Sequence, residues 1–155
     1  MSEGKVIGIY IGERAKAWPV SVASVNATAR RGLEGDRYFQ KTGTFSNGKP
    51  TGRALTLIEK ESLERFEEEY GVALSPEETR RNILTEGIAL NDLVGKRFHV
   101  GEVLAEGTHL CDPCSHLESL TAKPVLKGLE NRGGLRANIL SDGAIRVGDA
   151  IRIET

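Results

Sequence analysis

The chain has 155 residues, of which 39% are hydrophobic and 28% are charged, and its formal net charge is −1. This composition is typical of a globular domain and excludes an intrinsically disordered or membrane-spanning chain. The near-zero charge and the aromatic content of 5% argue against nucleic-acid binding, which needs a basic surface and rings for stacking. We therefore expect one domain over residues 1–155, with no nucleic-acid partner.

The N-terminal segment is polar over residues 1–5 and apolar over residues 6–11. Without a basic flank or a small-residue cleavage site, this pattern predicts a strand and not a signal peptide. No apolar segment reaches the roughly 20 residues that cross a bilayer. The two cysteines are too close in sequence to form the disulfide framework of a secreted protein. We expect a cytoplasmic protein with reduced thiols and no membrane partner.

Short runs rich in β-branched residues, each ended by Gly or Asp, continue along the whole chain and predict strands. The predicted strands cover residues 5–11, 21–25, 53–58, 81–84, 97–100, 103–108, 144–147 and 150–153. Residues 101–102 and 148–149 each separate two of these runs at the length of a hairpin turn. The segment 40–52 is rich in glycine and lacks periodicity, so we expect a mobile loop there.

Helical patterns are confined to three places. Residues 59–70 place Leu63, Phe66 and Tyr70 on one face, and Gly71 follows the predicted helix end. A Ser cap, a Pro and a Glu predict a short helix after residue 75 that ends near residue 80. A third helix is predicted over residues 124–130. Many short strands with few short peripheral helices predict a mainly β protein, built as a β-barrel or a strongly curved sheet.

Both cysteines and two of the three histidines lie within eight residues, at His109, Cys111, Cys114 and His116. A Cys-x-x-Cys pair can be a redox pair, although the βαβ context of thioredoxin-like motifs is missing. The four side chains can also bind zinc, although structural zinc sites usually take ligand pairs from two separate loops. A single functional thiol beside Pro113 is the third hypothesis, and two buried cysteines without chemistry are the fourth. The spacing leaves these alternatives open.

Several arginines lie at predicted strand ends or turns. Guanidinium groups bind phosphate and carboxylate bidentately, which lysine cannot do. The turn at residues 32–37 adds glycines that let backbone N–H groups approach an anion. Together these features indicate an anionic ligand, provided that the side chains converge in the fold. The candidates are Arg37, Arg53, Arg80, Arg81 and Arg136.

Four segments, in order, resemble the MOSC domain, the module at the C-terminus of molybdenum cofactor sulfurases. They are residues 32–37, 80–83, 92–114, and 133–137 followed by 147–149. The resemblance implies a β-barrel of the pyruvate-kinase type. It also implies that Cys114 is the functional cysteine, which carries sulfur or ligates molybdenum, and that Cys111 is an accessory. Arg80 and Asn82 match positions that face the pterin and its phosphate in cofactor-binding relatives, whereas Arg37, Arg53 and Arg136 are less specific matches.

The leading hypothesis is a stand-alone MOSC domain that binds molybdenum cofactor or a related pterin. The Cys114 thiolate would handle sulfur or metal in a component of a sulfurtransferase or an oxidoreductase. We expect a phosphorylated small ligand and a sulfur-donor or molybdoenzyme partner protein. The pyridoxal phosphate domain of the sulfurases does not fit in 155 residues, so no pyridoxal phosphate site is expected. The alternatives are a non-catalytic sulfur-carrier or metal-binding module that works with a partner, and a small zinc-binding domain.

Overall fold

The computed structural model of the protein describes residues 3–12, 19–29, 31–36, 55–111, 123, 129 and 132–154. Within these ranges the chain forms eleven strands, two α-helices and one 3₁₀ turn. The helices are α1 (Lys60–Tyr70) and α2 (Pro76–Thr79), and the 3₁₀ turn is Leu90–Leu93. The strands are β1 (Glu3–Ile11), β2 (Val20–Ser21), β3 (Ser24–Thr28), β4 (Gly32–Leu33), β5 (Leu55–Glu59), β6 (Ile83–Glu86), β7 (Arg97–Val100), β8 (Val103–Leu110), β9 (Leu135–Ile139), β10 (Gly143–Arg146) and β11 (Ala150–Ile153).

Seven of the strands close into a mixed barrel in the order β1-β11-β7-β8-β9-β5-β6, with β6 returning to β1. Neighbouring strands are antiparallel except for β5 and β6, which are parallel and are connected through α1 and α2. Strand β2 pairs with the end of β1, and β3, β4 and β10 form a separate small sheet. The prediction of a mainly β barrel with few short helices is therefore confirmed.

The barrel interior holds the main hydrophobic core, and the outer face carries a second, smaller core beneath α1. Strand β5 contributes to both cores, because Leu55 and Leu57 point inward and Ile58 packs against the helix side. Side chains alternate along a strand, so Thr56 lies on the outer face together with Ile58. A strand that is buried on both faces has a nearly continuous apolar run, which the sequence of β5 shows.

The predicted strands at residues 97–100 and 150–153 match β7 and β11, and the turn at residues 101–102 connects β7 and β8 as a hairpin. The prediction of one strand over residues 21–25 is wrong. The strand is interrupted after β2, and β2 pairs with β1 whereas β3 pairs with β10. The hairpin predicted around 148–149 is also wrong. Strand β10 pairs with β3 whereas β11 pairs with β1 and β7, and local alternation does not specify the pairing partner.

Both helices that the described residues include were predicted from the sequence. The left-handed Gly71 ends α1 and donates its N–H to the carbonyl of Glu67 at 2.8 Å. The Glu78 carboxylate reaches back to the N–H of Ser75 at 2.9 Å and caps α2. The helix predicted at 124–130, apart from the buried Leu129, and the loop predicted at 40–52 lie outside the described residues. No helix in the described ranges has the length and apolar content to cross a membrane.

A largely buried ion pair connects α2 to Lys123. The Lys123 ammonium donates to the Glu78 carboxylate and to the carbonyl of Ala73, both at 2.7 Å. Burial raises the pKa of Glu78, but the hydrogen bonds from Lys123 and Ser75 outweigh it and lower the pKa. A lowered folded-state pKa stabilises the fold above the unfolded value of about 4.3 and loses that contribution as the pH falls through the folded value.

We expect Glu78→Gln to lower the free energy of unfolding at pH 7 by about 1.5–3 kcal/mol, as for loss of a charge-assisted hydrogen bond. The difference from wild type should shrink as the pH falls through the lowered folded-state pKa of Glu78, below which the group is protonated in both states. Urea unfolding at pH 7 and at low pH measures both quantities. The exposed Glu68→Gln serves as the matched control and should change stability by less than about 0.5 kcal/mol. A difference in unfolding free energy that does not change with pH would contradict a stabilising role for the Glu78 charge.

Candidate functional site

A row of polar side chains crosses three adjacent strands on the outer face of the barrel. Arg136 on β9 lies opposite Thr56 on β5 and opposite His109 on β8. Directly opposed residues of antiparallel strands place their side chains on the same face. Thr56, Arg136 and His109 therefore form one row, which we call the outer row.

Arg136 is the central residue of the outer row. Its neighbours Leu135 and Ala137 are fully buried in the barrel interior, so Arg136 itself projects outward, and it is half-buried. Its carbonyl accepts a hydrogen bond from the Thr108 hydroxyl at 3.0 Å. No hydrogen bond or ion pair reaches its guanidinium group from the described part of the chain. A half-buried cation is thus held without a protein counter-charge among these residues.

Arg81 approaches the same region from the turn that precedes β6. Its Nε donates to the carbonyl of Gly133 at 2.9 Å, two residues before β9 begins. Its terminal guanidinium nitrogens make no hydrogen bond within the described ranges. The contact with Gly133 brings Arg81 to the end of the strand that carries Arg136. The structure therefore places two of the predicted arginines, Arg81 and Arg136, near the same end of β9.

Arg80 lies at the end of α2, near the predicted helix end, and its ligand contact stays a prediction. It ends α2 in the left-handed conformation, with φ at 61°, and its N–H donates to the carbonyl of Glu77. Strand β6 begins only at Ile83. The helix end near residue 80 is as predicted, but the strand predicted from residue 81 starts two residues later, so Arg80 and Asn82 both precede β6.

Asn82 is 6% exposed, and all of its side-chain polar atoms are hydrogen-bonded inside the protein. Its Oδ1 accepts from the N–H of Thr56 at 3.1 Å and from the Thr56 hydroxyl at 3.0 Å. Its Nδ2 donates to the carbonyl of Tyr10 at 3.1 Å and to the Asp36 carboxylate at 3.4 Å. This arrangement fits a residue that positions its neighbours, and the ligand contact that the resemblance implies for Asn82 stays a prediction.

Cys111 directly follows the end of β8. It is 2% exposed, and its N–H donates to the carbonyl of Gly134 at 2.8 Å. Strand β8 therefore ends next to Gly134, close to the start of the strand that carries Arg136, and Cys114 follows Cys111 by three residues in the sequence. Cys114 itself, His116, Arg37 and Arg53 lie outside the described residues, so the prediction of Cys114 as the functional thiol stays a prediction.

The zinc hypothesis required four ligands, of which the structure describes two. His109 is exposed on the outer face, whereas Cys111 is buried. In the described ranges, no group of three or more His, Cys, Asp or Glu side chains is placed to hold a metal ion. The roles of His109, Cys111 and His116 stay open on this geometry.

Tyr10 completes the surroundings of Asn82. Burial, with a smaller contribution from the negative charge of Glu77, raises the pKa of the Tyr10 phenol above its usual value near 10. The phenol is therefore neutral at physiological pH and does not offset the positive charge of the arginines.

Sequence reasoning did not assign a role to Thr56 or to Asp36. Thr56 is the polar residue that interrupts the apolar run of β5, and that interruption was the available signal. Asp36 belongs to the turn at residues 32–37, which the sequence analysis interpreted through its glycines and Arg37 alone. Asp36 is 8% exposed and its carboxylate contacts Asn82, which only the folded chain reveals.

The sequence matches the family model of the MOSC domain over residues 34–152. The chain belongs to the MOSC domain family. The resemblance found in the four sequence segments is thereby confirmed, and the family is associated with molybdenum cofactor sulfurase-like function. A search of curated proteins gives no match.

Solved structures show the same fold. The YuaD protein from Bacillus subtilis has a TM-score of 0.80 at 19% identity, covering 97% of this chain and 95% of that one. YiiM from Geobacillus stearothermophilus has a TM-score of 0.75 at 18% identity, covering 98% and 75%. YiiM from Escherichia coli has a TM-score of 0.70 at 19% identity, covering 100% and 70%. Because the identities are below 20%, these comparisons show that the MOSC domain shares its fold with the three proteins.

We expect Gly134→Ala to lower the free energy of unfolding by more than about 3 kcal/mol, because it combines backbone strain with overlap. Gly134 has φ at 113°, and a Cβ there would overlap the carbonyl oxygen of Leu57. Gly148→Ala is the matched control, since φ is 101° and an added Cβ would meet no atom within 4 Å. That control should cost only about 1–3 kcal/mol. If urea unfolding showed equal losses of unfolding free energy for the two variants, the close approach of Gly134 to the Leu57 carbonyl would be contradicted.

Proposed function

We propose that this MOSC domain binds molybdenum cofactor, or a related phosphorylated pterin, on the outer face of the barrel at Arg136. The observation that carries the proposal is that Arg136 is a half-buried residue whose guanidinium group has no hydrogen bond or ion pair within the described residues. Desolvating a cation is costly unless an anion or hydrogen-bond acceptor compensates it. An anionic ligand would supply that compensation.

Three other arginines among the described residues have carboxylate partners. Arg132 binds Glu69 at 2.6 Å, and this hydrogen bond lowers the pKa of Glu69. Arg152 binds Glu3 at 3.3 Å, and Arg97 lies 3.9 Å from Glu106. A protein that neutralises arginines elsewhere with glutamates leaves Arg136 available to an external partner. The contrast supports a ligand role for Arg136 rather than a general surplus of positive charge.

The residues around Arg136 fit a phosphate group. Arg81 adds two terminal nitrogens from the neighbouring turn, and His109 lies at the exposed end of the outer row. Guanidinium groups form paired hydrogen bonds to phosphate oxygens. Arg37 follows Asp36 directly and Arg53 lies two residues before β5, so both are proposed, with Arg80, as further contacts from segments that flank the site.

Cys114 is the proposed metal ligand or sulfur carrier. Three residues of extended chain span about 10 Å, which limits how far Cys114 can lie from Cys111 beside Gly134. A thiolate is a suitable soft ligand, and nearby cations favour thiolate over thiol. The cofactor, when bound, supplies the metal chemistry, and the protein supplies binding and orientation. A sulfur-donor protein or a molybdoenzyme is the proposed macromolecular partner.

Direct loading tests the proposal. The purified protein is incubated anaerobically with molybdenum cofactor released from a molybdoenzyme and is then desalted. Molybdenum is measured by mass spectrometry and the pterin by its fluorescence after oxidation. Bound molybdenum and pterin in similar molar amounts support the proposed function. Absence of both contradicts it, and stoichiometric zinc without pterin would favour the zinc-binding alternative.

We expect Arg136→Gln to weaken binding of a pterin phosphate monoester by about 1.5–3 kcal/mol, the usual range for a hydrogen bond to a charged group. Calorimetric titration at low salt measures the change. Arg146→Gln removes the same charge from an exposed position on β10 in the separate small sheet and should leave the affinity nearly unchanged. Equal losses in the two variants would show that only net charge matters and would refute a specific contact at Arg136.

The two cysteines are expected to differ in function. Loss of even an outer-shell partner commonly lowers metal affinity by about 10–100-fold, so Cys114→Ser should reduce bound molybdenum at least as much. Cys111→Ser should retain most of the bound molybdenum, because Cys111 is buried beside Gly134. Equal losses, or a larger loss for Cys111→Ser, would contradict the assignment of Cys114.

A further inference from the structure

We propose that Asp36, Thr56 and Asn82 form a positioning cluster that fixes the guanidinium of Arg81 relative to that of Arg136. The inference rests on the proposed function, since it concerns how the same anion site is held in shape. Asn82 hydrogen-bonds to both Thr56 and Asp36, and the proposal gives the three residues no ligand contact, so they act as positioning residues.

The cluster is centred on the contact between Thr56 and Asn82. The Thr56 hydroxyl donates to Asn82 Oδ1 at 3.0 Å and accepts from the N–H of Asn82 at 3.0 Å. The backbone N–H of Thr56 donates to the same Oδ1 at 3.1 Å, and the N–H of Asn82 also donates to the Thr56 carbonyl at 3.1 Å. Backbone and side chain of both residues are thereby tied in one geometry.

This contact joins the two arginines. Thr56 lies directly opposite Arg136 in the ladder between β5 and β9. Asn82 follows Arg81 in the chain, and Arg81 Nε donates to the Gly133 carbonyl at 2.9 Å. One path from one guanidinium group to the other therefore runs through the paired Thr56 and Asn82, and a second runs through Gly133 along the chain to Arg136. A shift of Asn82 would move Arg81 away from Gly133 and from the outer row.

Asp36 ties the cluster to two further segments. Its Oδ1 accepts from the N–H of Gly12, directly after β1, at 2.9 Å and from Asn82 Nδ2 at 3.4 Å. Asp36, Thr56 and Asn82 are 8%, 9% and 6% exposed. Buried polar networks are rigid when every member is satisfied and are costly when one member is lost. Such a network suits a site whose ligand groups come from separate segments.

The decisive pair of variants is Thr56→Val and Thr56→Ser. Valine has the shape of threonine but removes both side-chain hydrogen bonds, whereas serine keeps the hydroxyl. With inorganic phosphate as the probe, calorimetric titration should show at least about a tenfold loss of affinity for Thr56→Val. Thr56→Ser should keep the affinity within about threefold of wild type. Equal affinities for wild type and Thr56→Val would overturn the inference.

A double-mutant cycle separates positioning from a general structural role. If Thr56 acts through the arginine pair, Thr56→Val should have little further effect on phosphate affinity in an Arg136→Gln background. Additive losses in the two backgrounds would overturn the inference. If Thr56→Val does not fold, Asp36→Asn replaces it, because it keeps the side-chain shape and weakens its charge-assisted hydrogen bonds. It should lower the affinity by about threefold, and an unchanged affinity would overturn the inference.

A measurement on the free protein distinguishes failure of the inference from failure of the proposed function. The Arg81 Nε–H proton is hydrogen-bonded to Gly133, so its solvent exchange can be followed by NMR without ligand. The inference predicts faster exchange in Thr56→Val than in wild type, and wild-type exchange in Thr56→Ser. Unchanged exchange in Thr56→Val overturns the positioning role, whereas wild-type protein that binds neither phosphate nor cofactor overturns the proposed function and with it the inference.

Discussion

The pairing of β1 with β11 is the constraint on which the rest of the structure depends. It joins the first and last strands, with Lys5 opposite Ala150, and closes the sheet into a barrel. A closed sheet has no unpaired edge strands, and its interior is filled by side chains. In this chain that interior is packed with apolar residues. Charged and polar groups that serve a ligand must therefore lie on the outer face or at the barrel ends.

The single parallel pair of the barrel determines where those groups meet. Because β5 and β6 run in the same direction, the chain crosses over through α1 and α2 before β6 begins. The crossover returns the chain to the start of β5 at Asn82, where the Thr56 hydroxyl and amide meet its side chain. The same crossover places Arg81 beside Gly133, whose carbonyl accepts its Nε–H. The site is thus a consequence of topology, and the buried hydrogen bonds of Thr56 and Asn82 then hold it in shape.

The electrostatic character of the site follows from the positive charge of Arg136, which has no ion-pair partner among the described residues. Arg132 has a glutamate partner on α1, whereas Arg136 has none among the described residues. Two arginines whose terminal nitrogens make no hydrogen bond within the described ranges favour an anion with several oxygens, such as phosphate. The fold and the family are those of a MOSC domain. To this family assignment we add a proposed anion-binding site on the outer face of the barrel and the hydrogen-bond network that supports it.

The sequence by itself determined the strand-rich barrel, the ends of α1 and α2, and the arginines that suit an anion, because these depend on local patterns and on residue chemistry. It did not determine that residues 21–25 divide between two sheets, or that β6 begins only at Ile83, two residues after the predicted strand start. The ligand contact of Asn82 is implied by the family resemblance and stays a prediction, whereas its buried hydrogen bonds to Tyr10 and Asp36 are visible only in the folded chain. Those outcomes depend on which strands pair, and on contacts between Thr56, Asn82 and Asp36, which lie far apart in the sequence. Only the tertiary structure decides such long-range contacts, since strand pairing is set by packing across the whole barrel rather than by neighbouring residues.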